Sequence, residues 1–89
     1  MREPYLEVTF RHGVALAAYY YLPREAGQKS RRTDRVEPGL VIDYDEKGQP
    51  IGIEITSPRL LTLAKLNEVL EQLGQPPMRE DEFSPLRAA

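Results

Sequence analysis

Two short segments with the same period, Leu40-Val41-Ile42-Asp43-Tyr44 and Ile51-Gly52-Ile53-Glu54-Ile55, constrain this chain more than any other feature. Apolar residues recur at every second position, the period of a strand with one buried face. The segment between them holds Gly48, so the pair reads as a hairpin. Leu40, Ile42 and Tyr44 share one face, and Val41, Asp43 and Asp45 share the other. A one-residue slip would set Asp43 beside the isoleucines and bury its carboxylate without a partner. A loop of two or four residues pairs Ile42 with an isoleucine and keeps Asp43 near Gly52. A three-residue loop with Gly48 as a bulge gives the opposite parity. The cost of burying Asp43 favours the first.

The segment Tyr5 to Arg11 alternates in the same way, with Leu6, Val8 and Phe10 on one face. His12-Gly13 then supplies a tight turn. Val14 to Leu22 runs without a charge through three consecutive tyrosines, and Pro23 ends it. Strict alternation puts Val14, Leu16, Ala18, Tyr20 and Leu22 on one face and Ala15, Ala17, Tyr19 and Tyr21 on the other. Both faces are apolar, as in a strand covered on two sides. Residues 24 to 30 read as an exposed loop and residues 31 to 36 as a short strand. Glu37-Pro38-Gly39 is a turn signal.

Ser57 suits a helix N-cap and Pro58 the first helical position. Leu63, Leu66, Val69, Leu70 and Leu73 then fall on one side of a helix that Gly74 terminates. Residues 75 to 89 carry three prolines and many charges, which predicts a mobile tail outside a domain spanning residues 1 to 74. The expected fold is α+β: a small antiparallel β-meander of about four strands with one C-terminal helix packed on one face.

The chain has 89 residues, enough for one domain with a thin core. Twelve basic and fourteen acidic residues give a net charge of −2, which points neither to a nucleic-acid binder nor to an acidic solubiliser. With no cysteine there is no disulfide, thiolate metal site or cysteine nucleophile. No apolar run reaches the length of a membrane span, and MREPYLEV lacks the apolar core of a signal peptide. A cytoplasmic protein is expected.

Gly39 to Gly48, GLVIDYDEKG, followed by Gly52-Ile53-Glu54-Ile55, resembles the signature of a small bacterial family, domain of unknown function 2283. Ala18 to Leu22 looks like its second strand, and the resemblance covers roughly residues 5 to 60. Family members often carry an acid shortly before the aromatic strand; Val14 to Ala17 has none. The resemblance implies a β-meander with a following helix and no established activity.

Asp43, Asp45 and Glu54 are the candidate surface site. On one sheet face they would offer carboxylates of the kind that hold hard cations, but without EF-hand spacing a solvated face is the simpler reading. His12 sits in a turn with no nucleophile or orienting acid placed beside it. Tyr19 and Tyr21 form a candidate interface. Arg31, Arg32 and Arg35 form a candidate basic loop, which with the tyrosines could engage single-stranded nucleic acid; the negative net charge ranks that below packing. Gly48 and Gly52 lack the helix-leading run of a phosphate loop, and Gly52 suits close approach by a neighbouring side chain, a tyrosine among the options. No cofactor, metal or membrane is expected. The expected function is a non-enzymatic protein-binding or assembly module, a homodimer through the second apolar face. An antitoxin-like partner of a cognate protein and a weak nucleic-acid binder are the alternatives.

Overall fold

The computed structural model describes residues 3 to 87. Five strands, β1 (Tyr5–Arg11), β2 (Val14–Tyr21), β3 (Arg32–Glu37), β4 (Leu40–Tyr44) and β5 (Pro50–Ile55), form one antiparallel sheet in the order β1-β2-β5-β4-β3. The α+β class holds, but the sheet is not a simple four-stranded meander. β3, β4 and β5 meander, whereas the β1–β2 hairpin joins the far side of β5. The strand compositions explain this order. β2 is apolar on both faces and takes an inner position, while β3 carries Arg32, Asp34, Arg35 and Glu37 and takes an edge, where charge blocks further pairing.

His12 and Gly13 both adopt positive φ, at 53° and 76°, which makes the two-residue turn between β1 and β2. The register then shifts. Phe10 pairs with Ala15 but Thr9 with Ala17, so Leu16 is an extra residue in β2. Strict alternation through β2 is thereby corrected: Ala15 is buried and Leu16 is 49% exposed. Beyond the bulge Leu6 and Val8 oppose Tyr20 and Ala18 on the core side, and Tyr5 and Glu7 oppose Tyr21 and Tyr19 on the other.

In the β4–β5 hairpin Leu40 pairs with Ile55, Ile42 with Ile53 and Asp43 with Gly52. That is the expected pairing, reached by a different loop. Asp45 N–H donates to the Gln49 carbonyl at 2.9 Å, leaving the three-residue loop Glu46-Lys47-Gly48 with Gly48 at φ 82°. This loop would reverse the parity on its own. A register shift before Tyr44, which pairs with Pro50, leaves Ile51 unpaired with β4 and restores it.

The helical segment divides in two. A 3-10 turn, Pro58–Leu60, follows Ser57. Leu61 is extended and buried, and Thr62 caps α1 (Leu63–Gln72) by accepting the Lys65 N–H at 3.1 Å. Gly74 at φ 72° closes α1: its N–H donates to Glu71, and Gln75 N–H donates to Leu70. Leu66, Val69 and Leu70 pack on Ala18, Tyr20, Ile42, Ile53 and Ile55.

Residues 75 to 87 are not the mobile tail that their composition predicts. Met78, Phe83 and Leu86 are buried in the same core, the last two from α2 (Glu80–Phe83) and a final 3-10 turn, Ser84–Arg87. Asn67 holds this segment to α1. Its Oδ1 accepts the Met78 N–H at 2.8 Å and its Nδ2 donates to the Met78 carbonyl at 3.1 Å. Arg87 donates to the carbonyls of Pro58, Arg59 and Leu61, and its guanidinium lies 4.9 Å from the Phe83 ring centre. Three spaced apolar side chains supply the burial. Ala88 and Ala89, also assigned to the tail, lie outside the described residues.

Candidate functional site

α1 and the C-terminal segment pack on the core side of the sheet, and the opposite face holds Tyr19, Tyr21, Asp43, Glu54 and Arg35 among the candidate residues. Cross-strand pairing aligns Glu7, Tyr19, Glu54, Val41 and Arg35 in one row across it. The next row is Tyr5, Tyr21, Gly52, Asp43 and Thr33. Among these only Gly52 is buried; the others are half-buried or exposed.

The shortest contact between the two rows runs over Gly52. The Tyr19 ring reaches across Gly52, and its hydroxyl donates to Asp43 Oδ2 at 2.5 Å. A Cβ at Gly52 would overlap the Tyr19 hydroxyl and ring. Glycine is therefore required for its missing side chain, as the sequence suggested. Burial pushes the Tyr19 phenol well above its ordinary value, and the Asp43 hydrogen bond and charge push it further.

Tyr21 continues the aromatic surface. Its ring centre is 4.6 Å from Tyr19 and 4.5 Å from Tyr5, the latter stacked. Its hydroxyl donates to Glu7 Oε1 at 3.3 Å, and the Arg24 guanidinium lies 5.5 Å from its ring centre. Desolvation first, then Glu7, raises its pKa. Tyr5, 49% exposed, forms the outer end. Its membership was hidden in the sequence: an unshifted hairpin would pair Tyr5 with Tyr20, and only the extra Leu16 brings it beside Tyr21.

The three carboxylates are not assembled into one site. Asp43 is half-buried under Tyr19, and Glu54 is exposed two positions away along the strands. Asp45 departs from the expectation of a solvated side chain: it is 6% exposed and serves the turn. Its Oδ1 accepts the N–H groups of Lys47 at 2.9 Å and Gln49 at 2.8 Å, and its Oδ2 accepts Gln28 Nε2 at 2.7 Å. The Gln49 N–H lowers the Asp45 pKa most; partial desolvation opposes it, and Gln28 and Lys47 add to it. The three-residue loop and the shift at Ile51 aim Asp45 into the turn, where it also anchors the β2–β3 connection through Gln28. Among the described residues no group of three or more His, Cys, Asp and Glu side chains is placed to hold a metal ion.

Arg31, Arg32 and Arg35 do not form a basic loop. Arg31 N–H donates to the Tyr44 carbonyl at 2.8 Å on entry to β3, and the other two lie within the strand on opposite faces. The Arg32 guanidinium is 4.4 Å from the Tyr44 ring centre and 3.8 Å from Asp34. Arg35, opposite Val41, joins the tyrosine face. No described helix is long and apolar enough to cross a membrane.

These elements can be set against known proteins. Residues 17–57 match the family model "Protein of unknown function (DUF2283)". The chain resembles DUF2283 over this stretch. The match begins inside β2 and ends after β5, so β1, α1 and the C-terminal segment lie outside it. The DUF2283 stretch contains Tyr19, Tyr21, Asp43, Asp45, Gly52 and Glu54, and with them the whole Tyr19–Gly52–Asp43 contact. No curated protein and no solved structure matches the chain.

Proposed function

We propose that the chain is a small non-enzymatic assembly module that forms a homodimer by stacking the tyrosine faces of two copies. One observation carries the reading. The helices and the C-terminal segment pack on one side of the sheet, while the other presents Tyr5 and Tyr19 on either side of Tyr21, each in ring contact with it. A contiguous aromatic patch on a small domain is characteristic of an interface. Tyrosine suits that position, because its ring offers apolar area and its hydroxyl stays paired.

The occupant proposed is a second copy. A face with Asp43 and Glu54 on inner strands and Arg35 on an edge strand carries both charge signs, as a surface that meets itself must. A thin core also gains most from burying such a face against its twin. The Tyr19–Asp43 contact holds one tyrosine in place before association, which reduces the side-chain entropy lost on binding.

Sedimentation equilibrium at micromolar concentration tests this reading. Self-association that is lost or reduced in mass in the Tyr19→Ser, Tyr21→Ser variant supports it. A wild-type monomer, or a dimer indifferent to both substitutions, overturns it; a monomer that gains mass only with another protein assigns the face to a cognate partner.

A further inference from the structure

The two edges of the sheet differ in a way that the tyrosine face does not explain. β3 is blunted by four charged residues and by the register shift between Arg35 and Glu37. β1, at the other edge, has no register shift of its own and only two charges, Glu7 and Arg11. It holds seven residues, YLEVTFR, with no proline, lysine or inward-pointing charge, and its own alternation is unbroken because the extra residue lies in β2. Tyr5 is 49% and Phe10 47% exposed. A regular, partly apolar edge of this kind is a template for another strand.

The sequence of β1 is complementary to itself in one antiparallel register. With Thr9 opposite Thr9 of a second copy, Glu7 of each copy falls opposite Arg11 of the other. Val8 of each falls opposite Phe10 of the other. The first two pairs lie on the tyrosine side of the sheet and join opposite charges; the second two lie on the core side and cover the exposed Phe10 ring. Directly opposed pairs of these kinds stabilise antiparallel strands.

We propose that β1 is a second interface, pairing antiparallel with β1 of another copy in this register and extending the sheet across the contact. It is separate from the face interface proposed above and does not need it. With both in use, two isologous contacts build an assembly larger than a dimer.

Charge reversal tests the pairing in the full chain. Arg11→Glu sets Glu7 against a carboxylate at two symmetric positions, and adding Glu7→Arg restores opposite signs with the positions exchanged. The expected result is a wild-type assembly larger than a dimer, reduced to a dimer by Arg11→Glu as the edge contact weakens by roughly tenfold or more. Recovery in the double variant supports the pairing and shows that the single variant still folds. A dimer split by Arg11→Glu but indifferent to Tyr19→Ser with Tyr21→Ser supports the edge and overturns the face reading. A wild-type dimer split by the tyrosine pair and indifferent to Arg11→Glu overturns the edge and leaves the face reading standing. A monomer overturns both, and loss of assembly in Arg11→Glu without recovery in the double variant overturns the proposed register.

Discussion

Tyr19 occupies the space that a side chain at Gly52 would need, and from there its hydroxyl reaches Asp43 at 2.5 Å. Gly52→Ala must therefore displace the ring and loosen the hydrogen bond. We expect a loss of about 1–3 kcal/mol from steric overlap and the weakened bond together. In a Tyr19→Ala background the same substitution should cost much less, because the obstructing ring is gone. Urea melts of the four proteins close this cycle. Equal costs in both backgrounds would mean that alanine at position 52 acts through the backbone alone.

Asp45 links the turn to acid sensitivity. Its folded pKa lies below the unfolded value of about 3.9, so its contribution to stability is complete above that value and is lost as pH falls through the folded pKa. Asp45→Asn removes this titration. The stability difference between wild type and Asp45→Asn should be greatest near neutral pH and shrink below about pH 4. Denaturant midpoints measured across that range check it; a difference that grows in acid would contradict the assignment.

The C-terminal segment should be needed for stability. Truncation after Gly74 removes Met78, Phe83 and Leu86 from the core, each side chain contributing roughly 1.5–3 kcal/mol by burial before the entropy of ordering the segment is counted. We expect a net loss of at least about 3 kcal/mol, enough to unfold a marginal domain. Asn67→Ala, which leaves the segment but removes its two-point hold on Met78, should cost about 1–3 kcal/mol. Thermal melts distinguish these results from the small shift that a dispensable tail would give.

The parts of the fold legible in the sequence depend on local period and turn chemistry. The pairing of Ile42 with an isoleucine, the placing of Asp43 near Gly52, the His12-Gly13 turn and the close approach at Gly52 belong to this group. The bulges at Leu16 and Ile51 are not legible. Both are apolar residues within apolar strands, and the shifts that leave Leu16 without a partner in β1 and Ile51 without one in β4 arise from reconciling turn length with the buried face. The inward direction of Asp45 is hidden for the same reason, since it depends on the bulge. The C-terminal segment was hidden differently: Met78, Phe83 and Leu86 follow neither strand nor helix period, and their anchors, Asn67 and Pro58 to Leu61, are distant in sequence. The site was half legible. Tyr19 and Tyr21 follow from alternation, whereas Tyr5 joins them only through the Leu16 shift, and the separation of Arg32 from Arg35 follows from β3 being a strand.

Small-angle scattering of the full chain at micromolar concentration tests self-association through the tyrosine face. Forward scattering gives the mass of the particle, and the pair-distance distribution shows how copies are arranged. The expected particle holds at least two chains, with Tyr19→Ser and Tyr21→Ser removing the distances that arise from stacked sheets. Scattering from single chains at the same concentration, or a multichain particle whose distances survive both substitutions, would contradict it.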